Sequence, residues 1–491
     1  MIAAGRERAA VERMSTLDAG FYFVEHQNVP MHIGSLAVFE GPAPAYADLL
    51  ALYEAKLPFA GRYRQIVRAL PVPVFRPYWS DDQDLDLRYH LRHAAVPPPG
   101  GPAELREMSA RIFAQRLDRA RPLWEAWFVE GISDGRWAII SKVHHCMVDG
   151  IGGADLLAAL FEASPESPRP EPVPWQPRPG PSAAEVIAAG ALDTVTWPLQ
   201  QLAGLPRLLL RRRPSPEEML RFGRGLTASA RRLAVPAASS LNGTISPHRR
   251  WRWTTASLTQ VKKIRLAQNV TINDVVLAVI TTGFRELLEA RGELTEGLVV
   301  RTLVPVSLRG ENEHQPVSNQ ISAVLANLPV SEPDPVLRLE LLHRQMADLK
   351  RSGQAVGAEL LTGLAGFAAP ALLALGSRAA FRMPQPLVQA VTTNVPGPRF
   401  PLFILGRQLV ELYPYVPIGD NVRIGIAVFS YLDTFSFGIT ADYSAVPESD
   451  LDILTAGISH GLADLLARAR PPRRRARSKS RRPRAARPDR S

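Results

Sequence analysis

Residues 165–181 read PESPRPEPVPWQPRPGP, and no other stretch constrains the fold as strongly. Proline at nearly every second position removes backbone donors and fixes φ, so neither a helix nor a central strand can pass through. The stretch is stiff and extended. It divides a chain of 491 residues, too long for one compact core, into two large domains or three smaller ones. The expected organisation is an N-terminal extension (residues 1–13), a first domain (14–164), the Pro-rich linker with connecting helices (165–245), a second domain (246–467) and a basic tail (468–491).

An apolar fraction of 46% and a charged fraction of 21% are those of a globular protein, which excludes whole-chain disorder. The net charge of +11 belongs to one place: residues 468–491 hold twelve Arg or Lys against one Asp, and the remainder is neutral. With several prolines and no apolar periodicity, the tail PPRRRARSKSRRPRAARPDRS cannot fold alone. It suits RNA, an anionic lipid surface at about 1 kcal/mol per basic residue, or mere solubilisation. No specific nucleic-acid partner is expected of the neutral body.

Cys146 is the single cysteine, so no intrachain disulfide forms and a secreted disulfide framework is excluded. The start, MIAAGRERAAVER, is charged where a signal peptide is apolar, and Met14 is an equally good first residue. The nearest approach to a membrane span, LLTGLAGFAAPALLALGS at 360–377, is interrupted by Gly363, Gly366, Pro370 and Gly376, and reads as a core or interfacial helix. Arg211, Arg212 and Arg213 follow an apolar run, as in a helix on a lipid surface or a solvated linker helix. The expected location is the cytoplasm, with attachment to the inner membrane face or to lipid droplets left open.

Both parts mix strands and helices. Strands are predicted at 34–41, 136–145, 298–306 and within 422–443, and helices at 46–56, 104–115, 271–291 and 449–467. The pattern is α/β without a Gly-rich phosphate loop, so a nucleotide fold is not indicated.

The chemistry concentrates in SKVHHCMVDGIGG, residues 141–153. Read as a strand through His145, the segment sends His144 and His145 to opposite faces. Adjacent strand residues do not converge on one ion, so no metal is expected. The geometry suits a division of labour, with one imidazole in a cavity and the other held in its wall. Asp149 and Gly150 form a turn, and Gly152 and Gly153 let the backbone pass closely before a helix at 154–161. Asp149 can anchor the loop through an arginine or orient a ring. A near-neutral histidine with a free nitrogen is the usual general base. Two other readings stand: a nucleophilic Cys146, which diverging strand neighbours make awkward, and two packed histidines at a strand end.

The pattern HHxxxDG, here His144, His145, Asp149 and Gly150, resembles that of the CoA-dependent acyltransferase superfamily. Further stretches resemble its bacterial wax ester synthase/diacylglycerol acyltransferase branch: MSTLDAGFYFVE, PMHIGSLAVFEG, RPLWEAWFVEG, NVTINDVVLAVI, TLVPVSLRG, TNVPGPRFPLFILGRQL and GIAVFSYLDTFSFGITADYSAVPE. Together they span Leu17 to about Ala467. The resemblance implies two chloramphenicol-acetyltransferase-like α/β domains with mixed sheets and an active-site channel between them.

It also implies transfer of a fatty acyl group from acyl-CoA to diacylglycerol or a long-chain alcohol, with no covalent intermediate and no cofactor beyond the co-substrate acyl-CoA. His145 is then the base, with His144, Asp149 and Gly150 in its motif. Asn273 is a candidate oxyanion donor, or else the cap of the helix that follows. Pro122, Leu123 and Trp124 brace the catalytic strand. Asn394, Pro396 and Gly397 are candidates to line the channel, and Arg309 to meet CoA phosphate or a structural carboxylate. Cys146 and Ser318 stand where the family usually has alanine and glycine.

The stretch FSFGITADYSAVPESDLDIL weakly matches WAIISKVHHCMVDGIGGADLL, as though the second half were a degenerate copy without the histidines. The competing functions are a condensing enzyme acting on carrier-protein thioesters and a catalytically silent lipid-binding protein.

Overall fold

The computed structural model describes residues 11–69, 75–147, 159–167, 174–192, 237, 239–307, 321–351 and 387–469. Asp149, Gly150, Arg309, Ser318, the apolar run at 360–377, the arginines at 211–213 and the basic tail lie outside these residues.

Among the described residues, fifteen strands form three sheets. Strands β1 (Glu12–Arg13), β3 (Gln65–Arg68) and β4 (Tyr78–Asp81) make a small antiparallel sheet in the order β1-β4-β3. Residues just ahead of Met14 therefore already belong to the folded body. The first large sheet contains β2 (His32–Phe39), β5 (Leu91–Ala95), β6 (Trp124–Glu130) and β7 (Trp137–His144). The second contains β8 (Arg249–Ser257), β9 (Val300–Ser307), β10 (Ile321–Leu328), β11 (Ala390–Val395), β14 (Ile424–Tyr431) and β15 (Thr434–Asp442) in the order β10-β9-β11-β14-β15-β8.

Strands β12 (Phe403–Ile404) and β13 (Arg407–Tyr415) depart from the division read in the sequence. They lie within the second domain by chain position, but β13 pairs antiparallel with β2. The first sheet is therefore β12-β13-β2-β7-β6-β5, completed by the second half of the chain.

A four-strand unit occurs twice. In space β5-β6-β7-β2 has parallel, antiparallel and antiparallel pairings, and β11-β14-β15-β8 repeats that sequence of senses. Chain order within the two units corresponds as well. The weakly matching stretches noted above fall on β7 and β15.

Local chemistry accounts for the helices that frame the site. Helix Thr16–Val24 is capped by Ser15, whose Oγ accepts from Asp18 N at 3.1 Å. Helix Ile272–Ala290 begins with a reciprocal capping box between Thr271 and Asp274. Thr271, not Asn273, is thus the cap. The apolar residues of this helix fill the core beneath the second sheet, where Val275, Leu277, Ile280, Phe284 and Leu287 are fully buried, each contributing about 1.5–3 kcal/mol.

The described end of the proline-rich segment, residues 174–181, is docked on the small sheet. Arg178 N donates to Asp81 Oδ2 at 3.0 Å, and the Arg64 guanidinium lies 4.5 Å from the Trp175 ring centre. Among the described residues no single helix is long and apolar enough to cross a membrane.

Candidate active site

Strand β7 explains how two adjacent histidines come to differ. Its first four residues, Trp137 to Ile140, are apolar on both faces: Trp137 and Ile139 enter one core, Ala138 and Ile140 another. Toward the end the second face becomes polar. Lys142 is buried there with Glu125 3.2 Å away, and its Nζ donates to Ile112 O and Gln115 O. A buried ammonium needs such partners.

His144 follows on that face and has no exposed surface. Its Nδ1 accepts from Cys146 N at 3.2 Å, so the ring proton resides on Nε2, which lies 2.8 Å from Glu25 Oε2. Burial would raise the Glu25 carboxyl, but the contacts of His144 and Arg119 hold it below its ordinary value. Arg119 Nε stands 3.6 Å from Glu25 Oε1 and an Nη donates to Tyr22 O at 2.7 Å. The backbone of His144 is fixed as well, its N–H donating to Leu123 O at 2.9 Å, within the Pro122–Leu123–Trp124 turn. Trp124 anchors that turn through its indole N–H, which donates to Tyr63 O at 2.8 Å.

The strand stops one residue earlier than the alternation pattern implies. His145 opens a 3-10 turn through Met147, while its N–H still donates to Met31 O at 2.8 Å, the next position in register with β2. His145 is half-buried as a residue, and its imidazole stacks on Phe21 with ring centres 4.0 Å apart. Burial of the ring, together with the nearby His144, pushes its pKa down to about 4, so the ring is uncharged at neutral pH. Cys146 is 1% exposed and burial raises its thiol pKa strongly, leaving it a packed thiol rather than a thiolate nucleophile.

The remaining candidates form a second group. Asn273, on the first turn of helix Ile272–Ala290, accepts through Oδ1 from Asn394 Nδ2 at 3.3 Å. Asn394 lies near the end of β11, and Pro396 beyond it is exposed. Gly397 N donates to Ser430 Oγ at 3.0 Å. A Cβ at Gly397 would lie 2.0 Å from Ser430 O and 2.4 Å from the Phe429 ring, so only glycine permits this approach. Among the described residues, no hydrogen bond or ring contact joins the asparagine pair to His145. No group of three His, Cys, Asp or Glu is placed to hold a metal ion there either.

Glu25, Phe21, Met31 and Arg119 carried no individual role in the sequence reading. Glu25 and Phe21 stand in the quoted stretch MSTLDAGFYFVE, but their pairing with residues more than a hundred positions away leaves no local signal.

Comparison with known proteins places this geometry in a family. Residues 14–276 match the wax ester synthase/diacylglycerol acyltransferase catalytic domain, and residues 317–465 match the C-terminal domain of the same family. A Mycobacterium tuberculosis protein named a probable diacylglycerol O-acyltransferase is 37% identical over 468 residues, covering 93% of this chain and 96% of its own length. The solved wax ester synthase/diacylglycerol acyltransferase of Marinobacter aquaeolei VT8 shares the fold, with a TM-score of 0.66 and 24% identity over 93% of this chain and 99% of that one. A trichothecene 15-O-acetyltransferase from Fusarium sporotrichioides shares it more distantly, at a TM-score of 0.59 and 14% identity over 95% and 96% of the two chains. Its sequence over nearly its whole length places this chain in the wax ester synthase/diacylglycerol acyltransferase family.

Proposed function

We propose that this acyltransferase moves a fatty acyl group from acyl-CoA to the free hydroxyl of diacylglycerol, or to that of a long-chain alcohol, with His145 as general base. The observation that carries the reading is an uncharged imidazole, on a half-buried residue, whose backbone and ring are both held in place. His145 takes the proton from the acceptor hydroxyl as its oxygen attacks the thioester carbonyl. The tetrahedral oxyanion collapses, the carbon–sulfur bond breaks, and the proton returns from His145 to the CoA sulfur. The products are an ester and free CoA, with no covalent enzyme intermediate and no cofactor beyond the co-substrate.

General base catalysis contributes about 10²–10⁴ in rate, and an oxyanion donor about 10²–10³. Asn273 is the proposed donor. Its Oδ1 is engaged by Asn394, which orients the amide so that Nδ2 is the end that donates. Buried His144, fixed by Glu25, serves as wall rather than base.

Diacylglycerol is the favoured acceptor because the 37% identical relative is named for it. Purified protein with labelled palmitoyl-CoA, offered diacylglycerol and hexadecanol in parallel, tests this. Ester formation faster with diacylglycerol is expected, and transfer to neither acceptor would overturn the reading. The basic residues of 468–491 are proposed to hold the enzyme on an anionic membrane or lipid-droplet surface. Removing residues 471–491 should weaken binding to anionic liposomes, the more so at low salt; unchanged binding would reject it.

A further inference from the structure

The partners that hold the two histidines come from one short segment. Phe21 stacks on His145, Glu25 faces His144, and Met31 O receives the His145 N–H. The middle of this segment, residues 26–30, is held chiefly by the other half of the molecule. His26 Nε2 lies 2.7 Å from Asp420 Oδ2. Asn28 Nδ2 donates to Ile245 O at 3.1 Å. Arg249, buried at the start of β8, donates to Asn28 O. Beneath these bonds Val24, Val29 and Met31 form a small apolar core with Ile245 and Ile418, and Phe21 packs against it.

His26 repeats the arrangement of His144. Its Nδ1 accepts from Asn28 N at 3.4 Å, two residues on, which leaves Nε2–H to face a carboxylate. In His144 the same pair of contacts is made to Cys146 N and Glu25. One imidazole joins the wall to the segment, and the other joins the segment to the second half. Both bonds bear on a stretch of only a few residues, so a shift at Asp420 is transmitted to Glu25 and Met31 with little chain in between to absorb it.

We propose that residues 26–30, clasped by Asp420, Ile245 and Arg249, are a latch through which the second half of the chain sets the position of His144 and His145, making His26 and Asp420 positioning residues for acyl transfer. The inference rests on His145 being the base. Reacting groups must be held near their attack geometry, and a displacement of about 1 Å can cost about 10²-fold in rate. A latch that shifts the imidazole by part of that distance governs kcat, while acyl-CoA and acceptor binding are little affected.

The test compares His26→Phe, Asp420→Ala and the double variant with Asp420→Asn, which keeps an acceptor for the His26 N–H, and with His145→Ala. His26 and Asp420 lie partly at the surface, so the variants should fold, and thermal unfolding of each checks this. The expected result is a kcat lower by about tenfold in His26→Phe and Asp420→Ala, KM within about twofold, no additional loss in the double variant, and near-normal kcat in Asp420→Asn. Normal kcat in the folded His26→Phe and Asp420→Ala proteins, with His145→Ala inactive, would overturn the latch alone. Equal losses in Asp420→Asn and Asp420→Ala would also overturn it. Undiminished transfer by His145→Ala would overturn the proposed function, and the latch with it.

Discussion

At the end of β7, His144 is sealed against Glu25, and half-buried His145 opens a 3-10 turn. At the matching end of β15, Asp442 is sealed instead, accepting from Ser246 N and Oγ, Ser444 N and Ala445 N. Tyr443 beyond it is 48% exposed beneath the Arg250 guanidinium. The ladder partners differ in the same way: His144 faces His32, whereas Asp442 faces Arg249. Two copies of one strand arrangement have therefore divided. The second strand end is a tightly capped turn, every oxygen of its carboxylate engaged. The first carries an uncharged ring stacked on Phe21. Topology supplies the frame in both places, and the side chains at two positions decide whether it holds chemistry.

The comparison breaks most sharply at its outermost residues. His145→Ala should lower acyl transfer by about 10²–10⁴, while Tyr443→Ala, at the corresponding place, should leave kcat within about twofold and stability within about 0.5 kcal/mol. Initial rates with saturating acyl-CoA and unfolding curves of both proteins measure the contrast. Glu25→Ala removes the carboxylate between His144 and Arg119 and should reduce kcat about tenfold while costing about 3 kcal/mol, the lower end for breaking a buried pair because Arg119 is partly exposed. Denaturant titration alongside kinetics separates the two losses. Asp442→Ala leaves four donors of the capped turn unmatched and should cost about 2–3 kcal/mol. Gly397→Ala, which forces a methyl against Ser430 O and Phe429, should cost about 1–3 kcal/mol by overpacking, read from the shift in melting temperature.

Where local chemistry decides the outcome, sequence reasoning reached it. Helix Tyr46–Lys56 was readable to the residue, and the helices ending at Ala290 and Ala467 to within one, because periodicity and caps are written into neighbouring positions. The expected end of β7 fell one residue late because His145, although its N–H still donates to Met31 O in register with β2, already opens a 3-10 turn that neighbouring residue types do not mark. The allegiance of β13 was unreadable for a non-local reason, since nothing in RQLVELYPY names a partner and only pairing with β2 selects the sheet. Within the site, the histidine pair announced itself by residue type. Glu25 and Arg119 did not, because an acid after a helix and a surface-like arginine acquire meaning only when folding brings them beside His144.

The claim on which all of this depends is that the ring at position 145 is uncharged and takes the acceptor's proton. The pH dependence of kcat/KM reports the ionisation of essential groups in the free enzyme. A base works in its unprotonated form, so activity should persist as pH falls and fail only as the ring gains a proton, at about 4. The account predicts a kcat/KM that stays level from pH 8 to roughly 5, with a limb below that. A limb centred near 6.5, the ordinary histidine value, or a profile that His145→Gln leaves unchanged in height and shape, would contradict it.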